Sequence, residues 1–430
     1  MKKSAVWLLS LCLIAPAVAL VAGQASSENF VKAALEEYLP DLIKIRRQIH
    51  QNPERGNREF KTAALVAGRL KSLGFEVKEG VAHTGVVALL HGRKPGRVVA
   101  VRADMDALPI QEKTDLPFKS QVDGVMHACG HDIHTTVGLG TAMVLAKLKD
   151  RFDGTVKFIF QPAEEGSPPG ELGGASLMVR EGVLENPAPE VIFGLHVGSG
   201  LPVGMLAYTP EGALASNDMF EIIIKGKGVH ASSPWGGVDP IITAAQVVTA
   251  LQNIRSRMTD TRIPFVVSVS MIHGGTAFNI IPEEVKMTGT IRAHDQEVRK
   301  TVKTMMRQVI DGVCKSMGAT FELNIHEGTP VTYNEPGLTR WAVDILGGLL
   351  GESRVFEVPP TMGSEDFASY SQRIPAFFYF LGVSNNKKEY QFPVHNPYFC
   401  ADEGSIPVGI ESMTRLVLSF LGSDKTFALR

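Results

Sequence analysis

The chain has 430 residues, enough for two or three domains and a large buried core. Apolar residues make up 44% and charged residues 20%, which describes a globular protein and excludes disorder, collagen and coiled coil. Lys and Arg number 43 against 45 Asp and Glu, and this net charge of -2 argues against a nucleic acid as partner.

The first 25 residues differ from the rest of the chain. Lys2 and Lys3 precede an apolar run from Ala5 to Val21, and small residues follow the run. This order predicts a secretory signal peptide at 1–25, and therefore a periplasmic or secreted protein with no membrane attachment after cleavage. A transmembrane anchor is the alternative, but the run is short against the ~20 residues that span a bilayer, and Pro16 interrupts it.

The chain that follows alternates helical and extended patterns. Apolar residues at steps of three and four predict one helix over 30–49, stopped by Asn52-Pro53, and a second over 60–73. Beyond them we predict strands at 85–90, 97–102, 155–160 and 191–195, with helices at 138–148 and 174–180. This alternation predicts an α/β sheet covered by helices on both faces.

A different order occupies residues 213–326. Strands, helices and turns there follow the order β-α-β-β-α-β, which is ferredoxin-like. The predicted elements are a strand at 219–225, a helix at 241–258, strands at 265–273 and 284–294, a helix at 296–317 and a strand at 320–325. The α/β pattern resumes with a helix at 338–350 and a strand at 376–381. We therefore predict a discontinuous catalytic domain, 26–212 and 327–430, interrupted by an α+β module.

Four predicted strands lead to residues that can bind metals. Reactive groups collect beyond the carboxyl ends of strands in open α/β sheets. The residues at or after these strand ends are Asp104 and Asp106, Glu164 and Glu165, His196, and, after a loop, His395. A single strand-end aspartate is usually a helix cap and a single histidine is usually structural, but their joint arrival at one sheet edge predicts a site.

A fifth cluster, residues 126–134, holds three His, one Cys and one Asp. Its Cys129-x-His131 pair brings a thiolate and an imidazole close enough to share one metal or to bridge two, and zinc and related ions accept this donor set. Glu164 and Glu165 are neighbours, and side chains of neighbours on an extended chain point to opposite sides. One is therefore suited to be a ligand and the other to be the general base on a metal-bound water; a solvated turn is the alternative for this pair alone.

Five segments resemble, in order and spacing, the M20 metallopeptidases. They are 102–110, 126–132, 161–166, 194–197 and 395–397. The branch they resemble is that of the amidohydrolases, which includes hippurate hydrolase, N-acyl-amino-acid deacylases and plant auxin-conjugate hydrolases. The resemblance covers essentially the whole chain after the signal peptide. It implies a zinc-exopeptidase-like mixed sheet and an inserted module that serves as a lid and dimerisation domain.

The same resemblance implies the roles of individual residues. Two divalent ions per subunit, Mn or Zn, would be held by Cys129, His131, Glu165, His196 and His395. Glu164 would be the general base, and Asp106 falls where related enzymes place an aspartate that orients a metal-bound histidine. In the module, the family directs a histidine, here His230, at the scissile carbonyl. The groups that resemble the family's substrate-binding residues are Asn279, Arg292 and Gly363, and for Arg292 an exposed strand cation is the alternative.

The sequence therefore predicts a homodimeric, metal-dependent amidohydrolase that cleaves N-acyl amino acids such as hippurate, with metal-activated water and Glu164 as general base. A carboxypeptidase or dipeptidase acting on short peptides is the alternative enzyme. A binding protein that kept the scaffold and lost catalysis is the alternative from another class. One segment, residues 53–60, departs from the family pattern at Arg55, and we expect it to be remote from the ligands.

Overall fold

The computed structural model describes the backbone of residues 14–429 and the side chains of residues 29–429. The predicted signal peptide at 1–25 lies partly outside these described residues, and its cleavage stays a prediction. Within the described part of the chain, no helix combines the length and apolar character that crossing a bilayer requires. The first helix begins at Ile14, well before the predicted residue 30, and continues to Gln51.

The elements of residues 14–429 are numbered in chain order. The helices are α1 Ile14–Gln51, α2 Phe60–Ser72, α3 His131–Lys147, α4 Gly174–Arg180, α5 Pro240–Asn253, α6 Gln296–Met317, α7 Pro336–Leu350, α8 Ala368–Ser371 and α9 Ser405–Leu421. The strands are β1 Glu76–Val81, β2 Gly85–His91, β3 Val98–Asp104, β4 Thr155–Gln161, β5 Val191–Pro202, β6 Leu206–Tyr208, β7 Glu211–Leu214, β8 Asp218–Lys225, β9 Val229–His230, β10 Phe265–Gly274, β11 Ile280–Ile281, β12 Glu284–Ala293, β13 Thr320–Glu327, β14 Thr332–Asn334, β15 Val355–Glu357 and β16 Ala376–Ser384.

The chain divides into two compact units. The first contains residues up to 207 together with 341–356 and 379–426, and the second contains 208–340, 357–378 and 427–430. The division predicted from the sequence, a module at 213–326 within a catalytic domain, assigns roles as well as bounds. Compactness alone does not test those roles, so that division stays a prediction.

The large sheet has the strand order β1-β2-β4-β3-β5-β16-β6-β15. Strand β3 is parallel to β4 and to β5, whereas β2 is antiparallel to both β1 and β4. Strand β4 is buried along its whole length, as expected for a central strand covered on both faces. The predicted mixed α/β sheet is confirmed.

Helix α3 is the central helix of the first unit. Every residue from His131 to Leu145 is buried, and the helix packs against α1, α9 and β3. A helix that is apolar around most of its circumference belongs in a core. The exceptions are at its first turn, where His131, Asp132 and His134 bring polar groups into the interior and therefore need partners.

The second unit contains a four-stranded antiparallel sheet of order β10-β12-β8-β13 with α5 and α6 packed on it. This is the ferredoxin-like order that the sequence predicts. Alternate residues of β8, including Phe220, Ile222 and Ile224, are buried in its core. Asp239 and Asp295 start the two helices by accepting hydrogen bonds from backbone N–H groups of the first turn.

The predicted strand at 191–195 is much shorter than the observed one. Strand β5 begins at Val191 as predicted but continues to Pro202. The second half of β5 was not recognised as extended structure because Gly198, Ser199 and Gly200 follow one another there, and Gly is disfavoured in strands. His196 therefore lies within a strand, two residues beyond the last pair that β5 forms with β3.

Candidate metal centre

The turn before α3 sets the position of the first two candidate ligands. Gly130 lies between Cys129 and His131 with φ of 82°, a left-handed conformation that glycine adopts without strain. A Cβ at Gly130 would lie 2.6 Å from Cγ2 of Val197, so only glycine allows the turn to approach β5 this closely. Because β5 also carries His196, the approach brings candidate ligand atoms of Cys129, His131 and His196 within 4.8 Å of one another.

The Cys129 thiol contacts two histidines. Its Sγ lies 3.3 Å from Nε2 of His196 and 3.3 Å from Nε2 of His395. The loop that carries His395 is fixed to the same turn, since the His395 N–H donates to the Ala128 carbonyl at 2.8 Å. His395 Nε2 is also 3.0 Å from Oε1 of Glu165.

The two glutamates lie in a bend held by buried carboxylates. Strand β4 ends at Gln161, and the N–H groups of Glu164 and Glu165 donate to the two carboxylate oxygens of Asp106, each at 3.0 Å. The expectation that the two side chains point to opposite sides is wrong, because the segment is bent. One carboxylate oxygen of each glutamate and one ring nitrogen of His131 all lie within 4.8 Å of one another. The side chains therefore share one site.

Glu59 also holds this bend, a role that no sequence pattern indicated. Its Oε1 accepts from the N–H of Ala163 at 2.8 Å, so two buried carboxylates bind three consecutive amides. The Ala107 N–H, next to Asp106, donates to the Glu54 carbonyl at 2.8 Å. The expectation that residues 53–60 are remote from the ligands is therefore wrong, because this segment contacts the bend that carries Glu164 and Glu165.

In His196 and His131, contacts of Nδ1 leave Nε2 as the nitrogen that can bind a metal. His196 Nδ1 lies 2.8 Å from the Val197 carbonyl, which it meets as a donor, so Nε2 keeps its lone pair. His131 Nδ1 lies 3.2 Å from Oδ1 of Asp106, while its buried Nε2 has no hydrogen-bond partner among the described residues. A buried nitrogen with no partner is costly unless an unseen group satisfies it. This pattern of partners is typical of metal ligands.

The candidate ligands fit two ions better than one. One group consists of Cys129, His131 and His196, and another consists of Cys129, Glu165 and His395, with the ligand atoms of each group within 4.8 Å of one another. Both groups contain Cys129. A mixed set of thiolate, imidazole and carboxylate suits zinc and related divalent ions, so the residues present fit a dinuclear centre.

Charge at the centre favours cations. Burial acts against ionisation of Asp104, but His131, His134 and Arg102 outweigh it and hold the pKa of that carboxyl well below its usual range. Burial also opposes the charge on His131, yet Asp104 and Asp106 raise its pKa to about 10. His131 is therefore protonated at neutral pH in the absence of metal. Metal binding must displace this proton, so affinity should fall as the pH falls.

The predicted residues of the second unit form two local groups. His230 on β9 pairs with Ile280 on β11, and the Ala231 N–H donates to the Asn279 carbonyl at 2.9 Å, which brings His230 and Asn279 together. The His230 ring is exposed, with Nδ1 2.8 Å from the Ser232 hydroxyl. Its other nitrogen is thus available to a substrate.

Arg292 on β12 contacts the loop that contains Gly363. Its guanidinium donates to the Ser364 hydroxyl at 3.3 Å and to the Met362 carbonyl at 3.5 Å. The Gly363 carbonyl in turn accepts from the Ala215 N–H at 2.8 Å. No carboxylate pairs with Arg292 among the described ion pairs, so its charge is available for an anionic ligand.

The chain is similar to known proteins along most of its length. The model of Peptidase family M20/M25/M40 matches residues 100–419. Thermostable carboxypeptidase 2 of Saccharolobus solfataricus is 43% identical over 381 residues, which cover 88% of this chain and 95% of that protein. N-acetylcysteine deacetylase of Bacillus subtilis is 39% identical, covering 89% of this chain and 98% of the deacetylase.

The chain belongs to peptidase family M20/M25/M40. It is a metal-dependent hydrolase, and the resemblance found in its sequence is confirmed. A solved structure of the Bacillus subtilis YXEP protein, described as a dinuclear metal-binding peptidase from the M20 family, is 36% identical with a TM-score of 0.78. The similarity covers 90% of this M20 chain and 99% of YXEP. The predicted catalytic roles of individual residues stay predictions.

Cys129 offers a direct test of metal ligation in this M20 enzyme. Burial, followed by the charge of Glu165, raises the pKa of the Cys129 thiol well above its usual range, so without metal the thiol is neutral. We expect Cys129 to resist alkylation in the metal-loaded protein at neutral and alkaline pH, and to be labelled after chelation at a rate that rises with pH. Cys314 and Cys400, also buried and free, are internal controls that chelation should not change. Labelling of Cys129 at equal rates with and without metal would contradict its role as ligand.

Glu59 is expected to make stability depend on pH in the metal-free protein. Burial, with a contribution from Asp106, raises the pKa of Glu59 to about 7 from an ordinary value of 4.5. The folded protein then holds this proton more tightly than the unfolded chain, so the free energy of unfolding falls as pH rises through this interval. The Glu59→Gln variant should lack this fall, which amounts to about 3 kcal/mol. Urea unfolding of both proteins at pH 4.5 and 8 measures it, and parallel pH dependences would rule it out.

Proposed function

We propose that this M20 enzyme hydrolyses the amide bond of N-acyl amino acids. The observation that carries the proposal is the pair of ligand groups sharing Cys129, with the carboxylate of Glu164 beside them. The named activity of the relative that deacetylates N-acetylcysteine supports an acyl amino acid as substrate. The site residues in these roles are those that the sequence predicts.

Two divalent ions, manganese or zinc, are the proposed cofactors of each subunit. Cys129, His131, Glu165, His196 and His395 would hold them. When bound, such ions polarise an amide carbonyl and lower the pKa of water. Asp106 supports this set twice, because it contacts His131 Nδ1 and binds the backbone of both glutamates.

Glu164 is the proposed general base. Its Oε2 lies 4.0 Å from Nε2 of His131, and its backbone is fixed by Asp106, so the carboxylate is held beside the centre. Glu164 takes a proton from the attacking water and returns it to the leaving amine. His230 donates to the oxyanion that develops on the carbonyl oxygen, a contact made mainly in the transition state.

Asn279, Arg292 and the loop of Gly363 are the proposed site for the substrate carboxylate. A guanidinium can bind a carboxylate through two parallel hydrogen bonds. A carboxypeptidase also needs a free carboxylate on its substrate, and a relative bears that name, so carboxypeptidase or dipeptidase activity is the second candidate function. The two candidates differ in what precedes the scissile bond: an acyl group in one and an amino acid residue in the other.

We further propose a homodimer of a periplasmic or secreted protein. Strand β10 is at an edge of its sheet and exposes Met271 and Ile272, while α5 exposes Ile241 and Ile242. An exposed apolar sheet edge invites pairing with a second copy. In the proposed dimer, His230 of one subunit acts at the metal centre of the other, and the signal-like sequence at 1–25 supports export.

A substrate panel tests the proposed function. The protein is freed of metal, reloaded with Mn²⁺, Zn²⁺ or Co²⁺, and assayed with N-acetyl and N-benzoyl amino acids beside dipeptides that share the same terminal residue. The proposal predicts higher kcat/KM for the acyl amino acids and no turnover after chelation. A preference for dipeptides would favour the second candidate, and metal binding without turnover of either class would favour a binding protein.

Arg292→Ala should weaken recognition of the substrate carboxylate. Removing one charged partner of a bidentate pair costs about 2 kcal/mol or more, so KM should rise at least ~30-fold while kcat changes little. Esterifying the substrate carboxylate should raise the KM of the wild type by a similar factor and should hardly change the KM of Arg292→Ala. Arg307→Ala, which removes a guanidinium elsewhere in the same unit, is the control. An equal ester penalty in both proteins would refute the assignment.

A further inference from the structure

His134 is the third histidine of the 126–134 cluster and has no role in the proposed function. It lies one turn into α3 after His131 and is buried. Its Nδ1 is 2.6 Å from Oδ1 of Asp104, and its Nε2 is 2.8 Å from the backbone nitrogen of Val197. The Asp104 carboxylate is itself held by Arg102 at 2.6 Å.

These contacts identify the charge state and tautomer of His134. The Val197 amide is a donor, so Nε2 must be the acceptor, and Nδ1 then carries the proton that it donates to Asp104. Both nitrogens are occupied. Although Asp104, His131 and His134 lie close enough to form a metal-binding group, His134 has no lone pair left for an ion.

Val197 connects the candidate ligands of two elements. Its carbonyl accepts from His196 Nδ1 at 2.8 Å, and its side chain is the surface against which the Gly130 turn packs. The parallel pairing of β5 with β3 ends at the Arg102–Gly194 pair, before His196 is reached. Beyond that pair, β3 no longer holds the backbone of β5. The His134 ring, which is held by Asp104, accepts from the Val197 N–H and so holds the β5 backbone in its place.

We propose that His134 is a positioning residue: as a neutral ring between Asp104 and the Val197 amide, it fixes the backbone that aims His196 at its metal ion. The inference rests on the metal centre proposed above. The edge-on packing of the His134 and His196 rings, with centroids 4.6 Å apart, holds the ligand ring from the side as well. A group that orients a ligand in this way typically accounts for 10- to 100-fold in metal affinity.

Two substitutions separate the contact of His134 with Asp104 from its contact with the Val197 amide. An asparagine at 134 places its amide near the Nδ1 position and so keeps a partner for Asp104, but it does not reach Val197. A glutamine reaches the Nε2 position and offers an acceptor to the Val197 amide. We expect His134→Asn to weaken binding of one of the two ions by ~10- to 100-fold and His134→Gln to recover most of that loss. Thr141→Val, which removes a buried hydroxyl from the same helix, is the control and should bind both ions as the wild type does.

The experiment titrates metal-free full-length protein with Zn²⁺ and Mn²⁺ by calorimetry and records thermal unfolding of each metal-free variant. Wild-type binding of fewer than two ions would overturn the proposed centre together with this inference. Two ions in the wild type and unchanged affinities in His134→Asn would overturn the inference alone, as would lower stability without weaker binding. A measurement on the wild type needs no variant: ¹⁵N NMR of the His134 ring in the metal-loaded protein should show a protonated Nδ1 and a bare Nε2. The opposite tautomer would refute the inference.

Discussion

Glu164→Ala is expected to keep its bound metal and to lose at least ~10²-fold in kcat, the usual cost of a missing general base. The structural basis is that Glu164 shares a possible ligand group with His131 and Glu165 but belongs to neither of the two groups that contain Cys129. Its neighbour Glu165 contacts His395 at 3.0 Å and belongs to one of those groups. Glu165→Ala should therefore lose metal as well as rate.

Metal content by elemental analysis and kcat from the same preparations measure this difference. The two glutamates are adjacent, and their N–H groups bind the same carboxylate, so each variant is a matched control for the other. Glu165→Asp should bind metal better than Glu165→Ala because a carboxylate is restored. Equal metal loss in Glu164→Ala and Glu165→Ala would refute the division of labour.

Mixing two inactive variants is expected to restore activity. In Glu164→Ala the proposed base is missing, and in His230→Ala the proposed donor to the oxyanion is missing. If His230 acts at the partner's metal centre, a mixed dimer has one site with both defects and one site with neither. Activity should then return to about half of the wild-type value per mixed dimer, because one intact site of two remains.

The mixture must be shown to contain mixed dimers, for example by two affinity tags purified in series. Mixing Glu164→Ala with Glu165→Ala is the control, since both substitutions affect the same metal centre and leave no intact site. Recovery in the first mixture and none in the second is the predicted result. Verified mixed dimers without activity would mean that His230 serves its own subunit or takes no part in catalysis.

The elements most accurately predicted were those with local signals. Helix α6 was predicted at 296–317 and occupies Gln296–Met317, because Asp295 and Gly318 mark its ends in the sequence. Helix α4 was also predicted at its observed bounds. Helix α3 was predicted to start at residue 138 but starts at His131. Its first turn is polar, and no local pattern shows that this turn is buried.

The candidate ligands could be selected from the sequence because several metal-binding residue types follow strand ends of one sheet, and their roles stay predictions. Their supporting residues could not, since Glu59 and His134 act through contacts with backbone amides far along the chain. Glu59 is 104 positions from Ala163, and His134 is 63 positions from Val197. Nothing in a local pattern identifies such a partner. The bend at Glu164 was missed for a similar reason, because Asp106 imposes it from another strand end.

The most direct test of the central claim is the anomalous diffraction of a crystal soaked in Mn²⁺ or Zn²⁺. We predict two anomalous peaks, one in contact with Cys129, His131 and His196 and the other with Cys129, Glu165 and His395, at ~2.0–2.3 Å for nitrogen, oxygen and sulfur ligands of zinc. Neither the carboxylate of Glu164 nor a ring nitrogen of His134 should lie within ligand distance of an ion. A single peak, or peaks bound by Asp104 and His134 with Cys129 outside ligand distance, would contradict the dinuclear centre.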